Sequence, residues 1–328
     1  MSSSHPAVAI TGISGPLGRS LAKLLHGRER IVGIDRRPFP GRPKDLDVHQ
    51  VDIRKRKAED LFRKGKIKAL IHLGIVHDPR MSAEEHHQFN VIGTAKALEY
   101  CARHGVKKLV VLSSANVYGP HPNNTNFLTE DAPLMGAARF GEIRDLVEVD
   151  ILAQSFIWKH PEVETVILRP VHVVGPGISN AASRYLRLRR PWVLMGFDPM
   201  IQLIHMEDTC KAVALALGSR ARGVYNVVGA GQVPLSAALK ELGRRPIGVP
   251  HFAARGLLDR LFKLRLSDFP PGELDFIQFL CTIDGRRFEE ELGWKPSVGL
   301  RQTIRAVEPD GVLMPRTRGG LGRIRSDR

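Results

Sequence analysis

Cysteine is scarce in this chain of 328 residues: Cys101, Cys210 and Cys281 stand far apart and match no zinc or redox spacing. A disulfide scaffold and a paired-thiol metal centre are both excluded as organising principles, and free thiols in a reducing compartment are expected. Long apolar runs are missing too. The longest, around Leu109 to Leu112, is a strand's worth, far short of a membrane span. The segment from Met1 to Pro6 is short and polar, without the charged-then-apolar order of a secretion signal. These absences make a cytoplasmic location the expectation. No internal repeat is visible, which excludes a solenoid or a propeller.

Acidic residues are in deficit, 34 against 49 Lys and Arg, for a net charge of +15. The basic residues gather in 36–44, 54–68, 184–190 and 316–328. Such charge suits nucleic acid, anionic lipid or a phosphorylated ligand, or it serves solubility alone. No aromatic-interleaved RNA motif or recognition-helix pattern accompanies it, so nucleic acid is not the expected partner. The end of the chain, 311–328, is Gly- and Arg-rich without apolar periodicity and is expected to be disordered. The stretch 251–266 alternates apolar residues with Arg and Lys. It reads as a core-facing helix of a small lobe in preference to one lying on a membrane.

What is present is a rhythm. Short apolar runs at Val8–Ile10, Ile31–Ile34, Val48–Val51, Ala69–Leu73, Val106–Leu112 and Thr165–Leu168 alternate with helical stretches at Leu17–Leu25, Arg56–Lys64, Glu84–His104 and Ala138–Trp158. Strands in alternation with helical crossovers predict an α/β fold built on a doubly wound parallel sheet. After Pro170 the rhythm breaks into a stretch rich in Gly, Pro and Arg, read as loop up to Met200. A helix over Asp208–Leu217 and a strand over Gly223–Val228 follow. The expected organisation is a Rossmann domain over 6–170, completed by about 205–228. A smaller, mainly helical lobe for substrate takes 171–204 and 229–310.

The first strand runs into Gly12-Ile13-Ser14-Gly15-Pro16-Leu17-Gly18. In this setting the first glycine permits a tight turn, the second lets backbone approach a pyrophosphate, and the third lets helix pack on strand. Phosphates would lie at the N-terminus of the following helix. Asp35 ends the second strand, 23 residues after Gly12. A carboxylate there accepts hydrogen bonds from both adenine-ribose hydroxyls and favours NAD over NADP, although Arg36 and Arg37 alongside could hold a 2′-phosphate.

With these residues the chain resembles the extended short-chain dehydrogenase/reductases, the NAD-dependent epimerase/dehydratase family that includes UDP-glucose 4-epimerase. The likeness runs from about Val8 to Val307. Further landmarks carry it: Val51-Asp52-Ile53, His72-Leu73-Gly74, Asn90-Val91-Ile92-Gly93-Thr94, Ser113-Ser114-Ala115-Asn116-Val117-Tyr118-Gly119, Leu168-Arg169-Pro170, Ile204-His205-Met206-Glu207-Asp208 and Glu291-Leu292-Gly293-Trp294-Lys295-Pro296. The resemblance implies NAD as cofactor, held by Gly12, Gly15, Pro16, Leu17, Gly18, Asp35, Arg36, Asp52, Ile53, Leu73, Gly74, Ile75, Asn90 and Arg144. It implies Asp52 on the adenine amine and Asn90 pinning the central helix. It implies Ser114 as the hydroxyl that hydrogen-bonds the reacting oxygen, and a small-molecule substrate such as a UDP-sugar. A homodimer through the two long helices is implied as well.

The family's proton-transfer pair is absent. After Glu130-Asp131-Ala132-Pro133-Leu134, where Tyr-x-x-x-Lys is due, stand Phe140 and Arg144. The four tyrosines are followed four residues later by His104, Pro122, Arg189 and Gly229, so no Tyr-x-x-x-Lys exists elsewhere. Phenylalanine cannot exchange a proton, and losing a general base costs on the order of 100- to 10,000-fold in rate. A guanidinium at 144 keeps a cation but replaces a point charge with a rigid fork. In this the chain resembles a bacterial subgroup of the family with an incomplete active-site tetrad. On the substrate side, His172 stands where the family often has asparagine, and Gln202 where epimerases commonly carry arginine. His121 and His205 complete the candidate substrate residues, and no metal site is expected. Three readings remain: an NAD-dependent enzyme with a rebuilt proton-transfer step, a catalytically silent NAD-binding sensor or scaffold, or a basic peripheral protein that uses the Rossmann core as structure only.

Overall fold

The structure is a computed structural model, and it describes residues 5–75, 81–138, 141–252, 254, 256, 260, 274–275 and 277–308. Seven strands, all parallel to their neighbours, form its main sheet. They are β1 (Ala7–Thr11), β2 (Arg30–Asp35), β3 (Asp47–Gln50), β4 (Ile67–His72), β5 (Lys108–Leu112), β6 (Glu164–Pro170) and β10 (Gly223–Val227). The spatial order β10-β6-β5-β4-β1-β2-β3 places a topological switch between β1 and β4. In open parallel sheets, ligands bind at the carboxyl ends of the strands beside such a switch.

Alternation along each strand builds two cores. Val8 and Ile10 of β1 face a layer with Leu21 and Leu25 of α1 (Pro16–Leu25) and Val213 and Ala216 of α7 (Met206–Gly218). Ala7 and Ala9 face the other side, with Phe62 of α2 (Arg56–Gly65) and Leu98 and Cys101 of α4 (Gly93–Arg103). Successive strand side chains point to opposite faces, so a strand covered on both sides reads as continuously apolar. Helix α5 (Gly141–Lys159) places Leu146 in the first core and Phe156 in the second.

The expected single helix over Glu84–His104 is broken. Helix α3 (Ala83–His87), capped by a reciprocal Ser82–Glu85 box, passes into a π-helical turn (Gln88–Ile92) before α4 begins. Residues 171–200, read as loop, contain structure: β7 (His172–Val174), α6 (Ala181–Arg187) and β8 (Trp192–Leu194), with β9 (Met200–His205) beginning at their end. These strands are three to six residues long and belong to small sheets, β11-β9-β7 and β12-β8, completed by β11 (Gln232–Pro234) and β12 (Ile247–Val249). Elements this short leave little periodicity to read, and frequent Gly and Pro hid them. With α8 (Leu235–Glu241) and α10 (Leu300–Arg305) they enclose a third core around Tyr185, Leu186, Leu239 and Ile304. Helix α9 (Arg286–Leu292) packs Phe288 against Tyr225 of β10. Most of the stretch 251–266 and all of 311–328 lie outside the described residues. Among the described residues no helix is long and apolar enough to cross a membrane.

A buried polar network joins β5, α5 and β6. Arg169 and Asp150, both about 1% exposed or less, pair at 2.6 Å and 2.9 Å, and Ser113 Oγ donates to the same carboxylate at 2.6 Å. Arg169 also donates to the Tyr118 hydroxyl at 2.8 Å, which donates onward to Asn226 Oδ1 at 2.7 Å. Two charges buried this deeply are tolerated because both are fully hydrogen-bonded. The network fixes the strand end that carries Ser114.

Candidate functional site

A cavity of about 880 Å³ opens along the carboxyl ends of β1, β2, β4, β5 and β6. Its floor is the turn from Gly12 to Gly18. Gly12 takes φ +73°, and a Cβ there would stand 2.8 Å from the Leu73 carbonyl. At Gly18 a Cβ would approach the Gly12 carbonyl to 2.4 Å, so helix α1 can sit against the turn only without a side chain. Gly15 is the N-cap of α1 and Pro16 its first residue, an arrangement preorganised for a helix start. Pro16, Leu17 and Gly18 of the first turn line the cavity, and a helix start of this kind suits an anion.

Asp35, 8% exposed, lines the cavity at the end of β2. Its carboxylate accepts from Ser14 N at 3.0 Å, Arg37 N at 2.9 Å and Arg37 Nε at 3.3 Å. Asp52 is gripped by the fork of Arg54, with Nη2 at 2.7 Å and Nε at 3.0 Å. Burial works against the charge of Asp52, but the hydrogen bonds from Arg54 outweigh it and hold the carboxyl below its ordinary range. Two guanidinium groups converge on Phe89, Arg36 at 3.4 Å and Arg54 at 4.3 Å from the ring centroid. Arg37, expected as a possible partner for a 2′-phosphate, instead bonds the Asp35 carboxylate; neither Arg54 nor Phe89 was singled out from sequence.

Beneath the cavity, Thr11 Oγ1 contacts His72 Nδ1 at 2.7 Å, His72 Nε2 meets Thr94 Oγ1 at 2.9 Å, and Thr94 donates to the Asn90 carbonyl at 2.5 Å. Burial lowers the His72 imidazole to about 4, so it stands neutral. This chain of bonds ties β1 and β4 to the π turn. Asn90, 2% exposed, sits within that turn and does not line the cavity.

Ser114 follows β5 and lines the cavity. Its Oγ accepts from Asn116 N at 3.2 Å, which leaves the hydroxyl proton available to a ligand. Ile143 and Leu146 of α5 also face the cavity. Arg144, between them in sequence, is 57% exposed with Nε 4.0 Å from Asp145 Oδ1, and does not reach the cavity wall. Phe140 lies outside the described residues.

Beyond Ser114 the cavity continues to His172, Asn180, Arg184 and Tyr185. Burial lowers the His172 imidazole to about 4. The Tyr185 hydroxyl donates to the Trp192 carbonyl at 2.6 Å, and burial pushes its pKa well above the ordinary tyrosine value, so it stays protonated. Of the other candidate substrate residues, Gln202 spends its amide on Ile283, donating to O at 3.0 Å and accepting from N at 2.8 Å. His205 caps α7, its Nδ1 accepting from Glu207 N at 3.2 Å, and His121 Nδ1 accepts from Asn123 N at 3.2 Å on an outer loop. None of these three lines the large cavity. The structure therefore brings together the glycine turn, Asp35, Arg36, Asp52, Ile53, Leu73, Gly74, Ile75, Ser114 and His172.

The sequence profile of the NAD dependent epimerase/dehydratase family matches residues 8–228. The chain belongs to that family. Its cofactor is thus NAD, as the glycine turn and Asp35 led one to expect. UDP-glucose 4-epimerase of Bacillus subtilis is 31% identical over 343 aligned positions, covering 90% of this chain and 94% of that protein. An uncharacterized protein of Mycobacterium tuberculosis is 24% identical over 308 residues, covering 90% of this chain and 82% of its own. Among solved structures, MoeE5 in complex with UDP-glucuronic acid and NAD superposes with a TM-score of 0.72 at 24% identity, covering 92% of this chain and 97% of that one. That likeness is one of fold.

Proposed function

We propose that this family member is an NAD-dependent enzyme acting on a nucleotide sugar or a related hydroxylated metabolite, with a proton-transfer step that does not use tyrosine. The observation that carries the reading is the continuity of the cavity. It runs from the glycine turn and Asp35, past the free hydroxyl proton of Ser114, to a basic far end at Arg184. The residues present fit a dinucleotide, since two glycines stand where any Cβ would meet backbone. Gly12, Gly15 and Gly18 with Asp35 would hold it, and Asp52 and Arg36 would flank its adenine. When bound, it supplies a hydride acceptor and donor beside Ser114.

In this reading the Ser114 hydroxyl donates a hydrogen bond to the reacting oxygen and keeps its proton. At neutral pH the imidazole of His172 is unprotonated and lines the substrate half of the cavity, so it takes the proton that a tyrosinate would otherwise accept. A base this weak predicts slow turnover. Arg184 faces the same half and suits an anionic diphosphate. The homodimer expected for the family would bury Ile151 and Trp158 of α5, which are 50% and 86% exposed and seven residues apart on one helix.

The test is a panel of UDP-sugars, including UDP-glucose and UDP-glucuronic acid, offered to NAD-loaded protein while the absorbance of reduced nicotinamide is followed. Reduction by one sugar, lost in Ser114→Ala and slowed in His172→Asn, is the expected result. The absence of Tyr-x-x-x-Lys favours the second reading, a silent NAD-binding sensor or scaffold. NAD binding with no reduction by any sugar, and activity gained only in the double variant Phe140→Tyr, Arg144→Lys, would establish that reading instead.

A further inference from the structure

Outside the cavity, one buried carboxylate among the described residues has an oxygen left without a hydrogen bond. Asp145 of α5 is 1% exposed, and its Oδ1 has no hydrogen-bond partner. Among the described residues, the basic side chains beside it stand off: His87 Nδ1 at 3.6 Å and Arg144 Nε at 4.0 Å. A carboxylate oxygen buried in this way is costly unless a cation or donor reaches it. Glu148, three residues on, lies on the same face of the helix and brings Oε2 to 3.8 Å from the same His87 nitrogen. One donor atom from each of the three side chains lies within 4.8 Å of the others.

We propose that His87, Asp145 and Glu148 bind a divalent first-row transition cation, with zinc as the type. Bonds of about 2.1 Å in tetrahedral geometry place neighbouring donors roughly 3.4 Å apart. Separations of 3.6 and 3.8 Å are too long for hydrogen bonds and close to that edge. One nitrogen and two carboxylate oxygens form a donor set suited to zinc, cobalt or nickel, with a fourth position left for water. The orphaned Oδ1 is aimed into the cluster, so the cation supplies the partner that this oxygen lacks.

The elements around the cluster prepare it. The Ser82–Glu85 box fixes the start of α3, and the π turn follows directly after His87. A wide turn of this kind often marks a functional position. The cation would join α3 to α5 and take the place of the Arg144 guanidinium beside Asp145. Arg144 is 57% exposed and can swing into solvent. The cluster lies off the cavity lining, so its role is to hold α5 against α3.

The experiment uses the full chain after chelator treatment, titrated with cobalt and zinc alone. Cobalt should bind at one site per chain with a visible band of low-coordinate type, and zinc should displace it. Zinc at about a hundredfold excess over its dissociation constant should raise the melting midpoint by several degrees. His87→Ala should weaken binding by more than about 100-fold, since loss of a supporting outer-shell group alone costs 10- to 100-fold. Glu148→Gln, at a half-exposed position, should weaken it while leaving the fold intact. Absence of binding to the treated wild type would overturn the proposal. So would binding that survives both His87→Ala and Asp145→Asn, which would place the metal elsewhere.

Discussion

The carboxylate of Asp35 accepts the backbone N–H of Ser14 at 3.0 Å, tying the end of β2 to the middle of the glycine turn. One side chain thus shapes the turn and lines the cavity. Asp35→Asn keeps the size of the side chain but loses its charge and part of its accepting capacity. A hydrogen bond to a charged group contributes about 1.5–3 kcal/mol, so NAD affinity should fall by about 10- to 100-fold. Calorimetric titration checks this, and NADP should be affected less than NAD.

The three glycines should separate fold from ligand. A Cβ at Gly18 meets backbone at 2.4 Å, whereas at Gly15 its nearest neighbours stand at 3.3 Å. Gly18→Ala should therefore lower the melting midpoint markedly and abolish cofactor binding. Gly15→Ala should fold nearly as the parent does and weaken NAD by intruding on the cavity. Paired melting and titration of the two variants read the difference directly.

Stability should fall on mild acidification. His72 is lowered from its ordinary value near 6.5 to about 4 by burial. Between those values the unfolded chain binds a proton that the folded chain refuses, so stability is full above about 6.5 and declines as pH drops toward 4. The contribution at stake is about 3 kcal/mol, and burial of His172 acts in the same direction. Urea midpoints across this window test it, and His72→Gln should flatten the profile.

Removing one member of the buried Arg169–Asp150 pair leaves the other charge without its partner. Asp150→Ala should cost about 3–5 kcal/mol, measured by urea unfolding. Replacing both by apolar residues of similar volume should cost less than either single change.

The parallel sheet was legible because its central strands are apolar runs covered on both faces, and because Gly12, Gly15, Gly18 and Asp35 punctuate it at fixed intervals. Those same residues line one half of the cavity. The π turn was not legible: Gln88–Ile92 carries ordinary helical spacing, and only the Gly93 N–H bonding to the Gln88 carbonyl, five residues back, reveals the widened ladder. The short strands of 171–205 were hidden by their length. Gln202 and His205 looked like substrate residues by position, yet backbone partners claim their polar atoms. The convergence of Arg36 and Arg54 on Phe89 joins residues far apart in sequence, and only folding brings them together. The same holds for His87 with Asp145.

The account rests on NAD lying along the cavity from the glycine turn to Ser114. Titration of the purified full chain with NAD and, separately, NADP tests this most directly. One NAD per chain is predicted, bound more tightly than NADP and lost in Gly18→Ala. Failure of the folded wild-type chain to bind NAD, or a preference for NADP that Asp35→Asn leaves unchanged, would contradict it.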